Sequence, residues 1–240
     1  MKKIKIILPI LLLVITVGCS SKAEKIVKEV KDRVEKIDDK NEREDSLDVF
    51  LLREIEILAN SNDYTTAKEV TNSINNNYAR EKTIDAILKE ESKTLAEDGK
   101  YEDAKIIAKQ IDSEYTRNDQ IDNILKKQIK TLAEDAKYED AKTIAKQIES
   151  EYTRNDQIDD ILKKQIKLLV KDGKYEDAKT IAKQIESEYT RNDQIDDILE
   201  KHFNKLFKDE KYKEAKEIVN EINGYKKTSL LRKLKKKYTE

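Results

Sequence analysis

The chain is poor in the residues that supply most protein chemistry and most structural punctuation. Its 240 residues include one cysteine, one histidine, one methionine, one proline, four glycines and no tryptophan. A single cysteine excludes an internal disulfide framework. A single histidine, His202, has no second histidine or cysteine near it in sequence, which argues against a metal site and against a histidine-activated nucleophile. Only three glycines lie beyond residue 18, and none sits in a phosphate-binding pattern. These scarcities argue against an enzyme, and no cofactor or metal is expected.

The scarce residues are also unevenly placed. The methionine, the proline and one glycine fall within the first eighteen residues, and the cysteine is the nineteenth. That segment has a basic start (Lys2, Lys3, Lys5) and an apolar run, Ile6–Val17, ending at Gly18-Cys19. A run of that length suits a secretory signal and is short for a membrane span. The stretch Thr16–Ser21, "TVGCSS", resembles the lipobox of bacterial lipoproteins, with Thr16 where an aliphatic residue is usual. The resemblance implies a signal peptide over residues 1–18, lipidation of Cys19, and a body tethered to a membrane outside the cytoplasm, in the periplasm or at the cell surface. The competing reading is a plain signal cut nearby, with Cys19 incidental. Residues 19–23 would form the lipidated cysteine and a short tether, in which Ser20–Lys22 spans about 10–14 Å fully extended.

Charge is abundant and nearly balanced. Without the three leader lysines, 46 basic residues face 50 acidic ones, a net of about −4. This disfavours nucleic acid, whose binding needs a positive surface. Charged residues make up 41% of the chain and apolar ones 37%, a composition that could mean disorder.

Periodicity argues otherwise. Tyr64, Tyr101, Tyr138, Tyr175 and Tyr212 recur every 37 residues, as do Leu58, Leu95, Leu132, Leu169 and Leu206, and Arg80, Arg117, Arg154 and Arg191. A second tyrosine series runs Tyr78, Tyr115, Tyr152, Tyr189, then Tyr225 after a one-residue deletion. Residues 137–162 and 174–199 are identical. A fixed period of this size marks a repeat architecture. Each unit reads as two amphipathic helices, one carrying Tyr175, Ala178, Ile181, Ala182 and Ile185, the other Ile195, Ile198, Leu199, Phe203 and Leu206. Thr116, Thr153 and Thr190, each three residues before an aspartate, read as N-caps. Asp98-Gly99 and Asp172-Gly173 read as turns, and interruption every 13–17 residues counts against one long coiled coil.

The segment Gly173–Ala178, "GKYEDA", with Leu162 and Leu169 before it, looks like a tetratricopeptide repeat. The period is 37 where that family has 34, and the family's tryptophan and closing proline are missing. The resemblance implies an all-α, right-handed α-solenoid of antiparallel helix pairs over residues 24–240. It would hold a capping helix at 24–38, about five full repeats over 43–225, and a basic capping helix at 229–238.

Several residues carry functional readings. His202 occupies the polar slot held by Gln128 and Gln165 in preceding units, which reads as a tolerated polar substitution. Asp156, Asp159 and Asp160, repeated as Asp193, Asp196 and Asp197, could bind calcium, but recurrence in successive repeats fits helix N-termini better. The repeated arginines are expected to pair with carboxylates such as Asp119 or Glu151 and brace adjacent units. Asn123, Lys126, Lys130, Asp160, Lys163 and Lys167 correspond to the concave, ligand-contacting positions of the tetratricopeptide family, and could hold an acidic peptide or a C-terminal carboxylate; the bland alternative is a solvated helix face. Near the C-terminus, Lys226, Lys227, Arg232, Lys233, Lys235, Lys236 and Lys237 could touch anionic lipid, or simply solubilise the last helix. The expected role is a non-enzymatic scaffold for another envelope protein or peptide, or else a surface-exposed spacer of variable repeat number.

Overall fold

The structure, a computed structural model, describes residues 21–222 and 224–238. The leader, Cys19 and the residues immediately around it lie outside them.

Local chemistry sets two kinds of helix. A serine that accepts the backbone N–H three residues on starts each long helix of the regular repeats: Ser113 from Thr116 for α6 (Glu114–Glu134), Ser150 from Thr153 for α8 (Glu151–Lys171), and Ser187 from Thr190 for α10 (Glu188–Lys208). The threonines expected as caps therefore sit one turn inside. The interval of 13–17 residues is corrected accordingly to a long helix of 21 residues and a short one of 8. Short helices α5 (Tyr101–Ala108), α7 (Tyr138–Ala145) and α9 (Tyr175–Ala182) follow three-residue turns.

Each turn is closed in the same way. The carbonyl of the repeated leucine accepts the N–H five residues on, as in Leu132 from Lys137 at 2.8 Å and Leu169 from Lys174 at 2.8 Å. This six-to-one bond needs a left-handed residue just before the donor. Gly99 and Gly173 supply it, with φ of 77° and 75°.

Among the described residues, the order is α1 (Lys22–Val34), five long–short pairs, then α12 (Gly224–Tyr238). The other members are α2 (Lys40–Asn60), α3 (Tyr64–Thr71), α4 (Asn77–Glu97) and α11 (Tyr212–Glu221). This is an all-α repeated helix-pair arrangement without strands among the described residues, in which α1–α3 pack on one another and α5–α12 pack mainly on their sequence neighbours. No helix there is long and apolar enough to cross a membrane.

Both terminal helices start earlier than expected. Helix α1 begins at Lys22, not 24, because Ser21 and Glu24 form a reciprocal capping box. The tether residues Ser21 and Lys22 thus belong to the folded body, and Lys22 reaches Asp63 at 2.6 Å. Helix α12 begins at Gly224, not 229, because it keeps the register of a long helix.

The chain forms two compact units. In the first, residues 1–91, the core gathers Val30, Leu51, Ile55, Tyr64, Ala67, Val70 and Ile87. The second, residues 92–240, has a similar cluster at each joint, such as Leu125, Ala141, Ala145, Ile148 and Ile161. Alanines with no exposed surface let the short helices approach closely, and apolar burial of about 25 cal/mol per Å² is the main driving term. One polar interruption stands out in the second unit. Ser92 occupies the register of Ile129, Ile166 and Phe203, is fully buried, and accepts from Gln120 Nε2 at 3.0 Å.

Candidate functional site

The repeated arginines turn inward rather than to carboxylates, which corrects the expected pairing. The Arg117, Arg154 and Arg191 guanidinium groups donate to the carbonyls of Ile111, Ile148 and Ile185 at 2.7, 2.9 and 2.9 Å. Arg80 and Arg43 do the same to Ile74 and Ile37, at 3.2 and 2.8 Å. Each clasp fixes the loop entering its own long helix. Bracing between adjacent units falls instead to aspartates. Asp48 accepts from Asn75 and Asn76 N–H at 2.8 and 3.0 Å, and Asp159 from Glu186 N–H at 3.3 Å. Asp122 shares that register, and burial raises its carboxyl above the usual range.

His202 stacks on Tyr175, with ring centroids 4.2 Å apart and planes 9° apart. Burial pushes its imidazole below the ordinary value, and its Nδ1 is buried without a hydrogen-bond partner. Gln128 Oε1 and Gln165 Oε1 are in the same situation at the same register. Among the described residues no group of three or more acidic, histidine or cysteine side chains is placed to hold a metal ion.

The lysine-bearing residues meet at the joint between α6 and α8, where a groove of about 530 Å³ opens. Lys126 and Lys130 line it from α6, and Asp160, Lys163 and Lys164 from α8, over a floor of Ile129, Ala133 and Ile161. Four ammonium groups thus face one carboxylate. Lys163 reaches Asp160 at 3.1 Å, and Lys130 stands 4.0 Å from Glu134. Asn123 and Lys167 do not line the groove. Asn123 donates to Asp119 at 3.2 Å, and Lys167 is exposed. Lys164 and Gln157 were missed in sequence. The face of α8 turned to α6 runs 157, 160, 161, 164, whereas the stripe followed in the sequence ran 160, 163, 167.

An equivalent groove of about 320 Å³ exists within the first unit, between α2 and α4. It is lined at the same register by Leu52, Ile55, Glu56 and Ala59, opposite Lys82, Thr83, Ala86 and Ile87. The groove is therefore a product of the repeat, and the residues that vary between repeats decide its charge. Of these two grooves, the α6–α8 one carries the surplus of lysine.

The basic residues of the last helix are partly engaged. Lys226 binds Asp197 and stands 3.9 and 4.0 Å from Asp193 and Glu200; the Asp197 hydrogen bond raises its ammonium above the usual range. Lys227 donates to the Asn220 carbonyl at 2.9 Å. Lys233 donates to Asn204 at 2.8 Å and lies over the Phe207 ring at 4.8 Å. Arg232, Lys235, Lys236 and Lys237 are exposed. Against known proteins the chain has no match among protein families, curated proteins or solved structures.

Proposed function

We propose that this protein is a non-enzymatic, lipid-anchored helical repeat that holds an acidic segment of another cell-envelope protein in the α6–α8 groove. The observation that carries the reading is the convergence of Lys126, Lys130, Lys163 and Lys164 on one groove with an apolar floor. Charge of one sign over such a floor favours carboxylate-bearing chains and speeds their encounter. The lipobox-like Cys19 supports attachment to a membrane, and the tetratricopeptide-like repeat supports a binding role over a catalytic one. Because α1 starts at Lys22, only two residues separate it from Cys19, and the body would sit against the membrane surface. Lipid contact by α12 would draw on its exposed basic side chains, Arg232, Lys233 and Lys235–Lys237.

Crosslinking in intact cells, followed by identification of co-purified envelope proteins, tests the scaffold. Charge reversal at Lys126, Lys130, Lys163 and Lys164 should abolish the capture, and unchanged capture would refute the groove. The anchor is tested separately. Cys19→Ala should lose its lipid and leave the membrane fraction; a variant that stays lipidated would overturn that part.

A second reading, a surface spacer of variable length, is favoured by the identity of residues 137–162 and 174–199, which makes further copying easy. Deleting one 37-residue unit would leave a spacer serviceable but spoil a specific groove.

A further inference from the structure

The groove that faces α6 is one side of α8. The other side, towards α10, carries a second cleft of about 410 Å³. Its chemistry is opposite. Asp156, Asp159 and Glu186 line it together with Tyr152, whose side chain is 85% exposed. Lys163 lines both clefts, so it stands on the crest of α8 between them. An exposed aromatic ring beside carboxylates suits a lysine or arginine side chain, which gains ion pairing and contact with the ring face. The fold already shows both interactions at equivalent positions. Lys82 Nζ lies over the ring of Tyr78, the counterpart of Tyr152, at 5.6 Å. Lys226 stands 3.9 Å from Asp193, the counterpart of Asp156.

We propose that the segment held by this protein carries charge of both signs and lies across α8, with its acidic part in the α6–α8 groove and its basic part in the Tyr152 cleft. The inference rests on the acidic-segment reading above and adds the chemistry of the partner's other half. A helix with its side chains is about 10–12 Å across, or about three residues of extended chain. The segment therefore spaces its carboxylates and its Lys or Arg by about three residues. A uniformly acidic segment would meet repulsion from Asp156 and Glu186 as it crossed the crest, and a uniformly basic one from the four lysines.

The test is fluorescence anisotropy with the whole mature chain and three labelled synthetic peptides. One carries glutamates alone, one lysines alone, and one both, spaced by three neutral residues. The mixed peptide should bind about ten-fold more tightly than the acidic one, and the basic one weakest. Tyr152→Ala with Asp156→Lys changes two exposed side chains and should erase the advantage of the mixed peptide without weakening the acidic peptide. Circular dichroism would confirm that the variant is folded. A mixed peptide that binds no better than the acidic one, or keeps its advantage in the variant, overturns this inference and leaves the groove standing. Failure of both the acidic and mixed peptides overturns the groove and the inference together.

Discussion

Five turns join a long helix to a short one, and each demands a left-handed residue. Gly99 and Gly173 meet the demand without a side chain; Asn62, Ala136 and Glu210 meet it at φ of 62°, 59° and 62°. A side chain at such a φ costs about 1 kcal/mol relative to glycine. Ala136→Gly should therefore raise stability by about 1 kcal/mol in chemical denaturation, while Gly173→Ala should lower it by a similar amount, since only the backbone opposes the added carbon. The glycine turns were legible locally. At Ala136 only the period reveals the turn, because alanine itself suggests a continuing helix. His202 makes a second prediction at this scale. Its folded pKa lies below 6.5 because burial disfavours the charged ring, so the unfolded chain takes up the proton first. The stability it contributes is complete above pH 6.5 and falls as pH drops from there towards the folded pKa. His202→Gln, the residue found at this slot in the two preceding repeats, should remove that part of the pH dependence in thermal melts. A variant that melts with the same pH profile as the parent would show that another group is responsible.

At the scale of elements, the long helices differ in one position that decides how the array ends. Lys126 and Lys163 become Glu200 in the last long helix, and the cation is returned from the next element by Lys226. In α8 the Asp160 carboxylate is satisfied within its own helix by Lys163, at 3.1 Å. In α10 the equivalent Asp197 binds Lys226 of α12. This exchange matches α12 to α10 and to no earlier long helix. Glu200→Lys should place two lysines at one joint and weaken the seating of α12 by about 1 kcal/mol, the usual scale for a partly exposed pair. Hydrogen exchange would check it, with faster exchange in α12 and no change in α8. Helix type, order and core faces were legible because apolar periodicity reports burial directly. Helix ends were less so. Ser150 rather than Thr153 caps α8, and a Ser-Glu-Tyr-Thr sequence offers two plausible cap residues; the arginine clasp to Ile148 accompanies the one chosen. The arginine's target was hidden for a related reason. A carbonyl six residues back carries no side-chain signature, whereas the nearby carboxylates do.

For the whole molecule, repetition supplies the frame and departure from repetition supplies the specificity. The α2–α4 and α6–α8 grooves arise from one register, yet one presents Leu52 and Glu56 where the other presents Lys126 and Lys130. Four of the six residues singled out from sequence line the α6–α8 groove, namely Lys126, Lys130, Asp160 and Lys163. Asn123 and Lys167 do not, because a helix turns 100° per residue and a stripe read one step off leads around the helix. Lys164 was overlooked for the same reason. The most direct test of the central claim is calorimetric titration of a short polyglutamate peptide into the mature chain, alongside Lys126→Glu with Lys130→Glu and, separately, Lys167→Glu. The account predicts a single salt-sensitive site that is lost in the double variant and little changed by Lys167→Glu. Equal affinity in the parent and the double variant would contradict it.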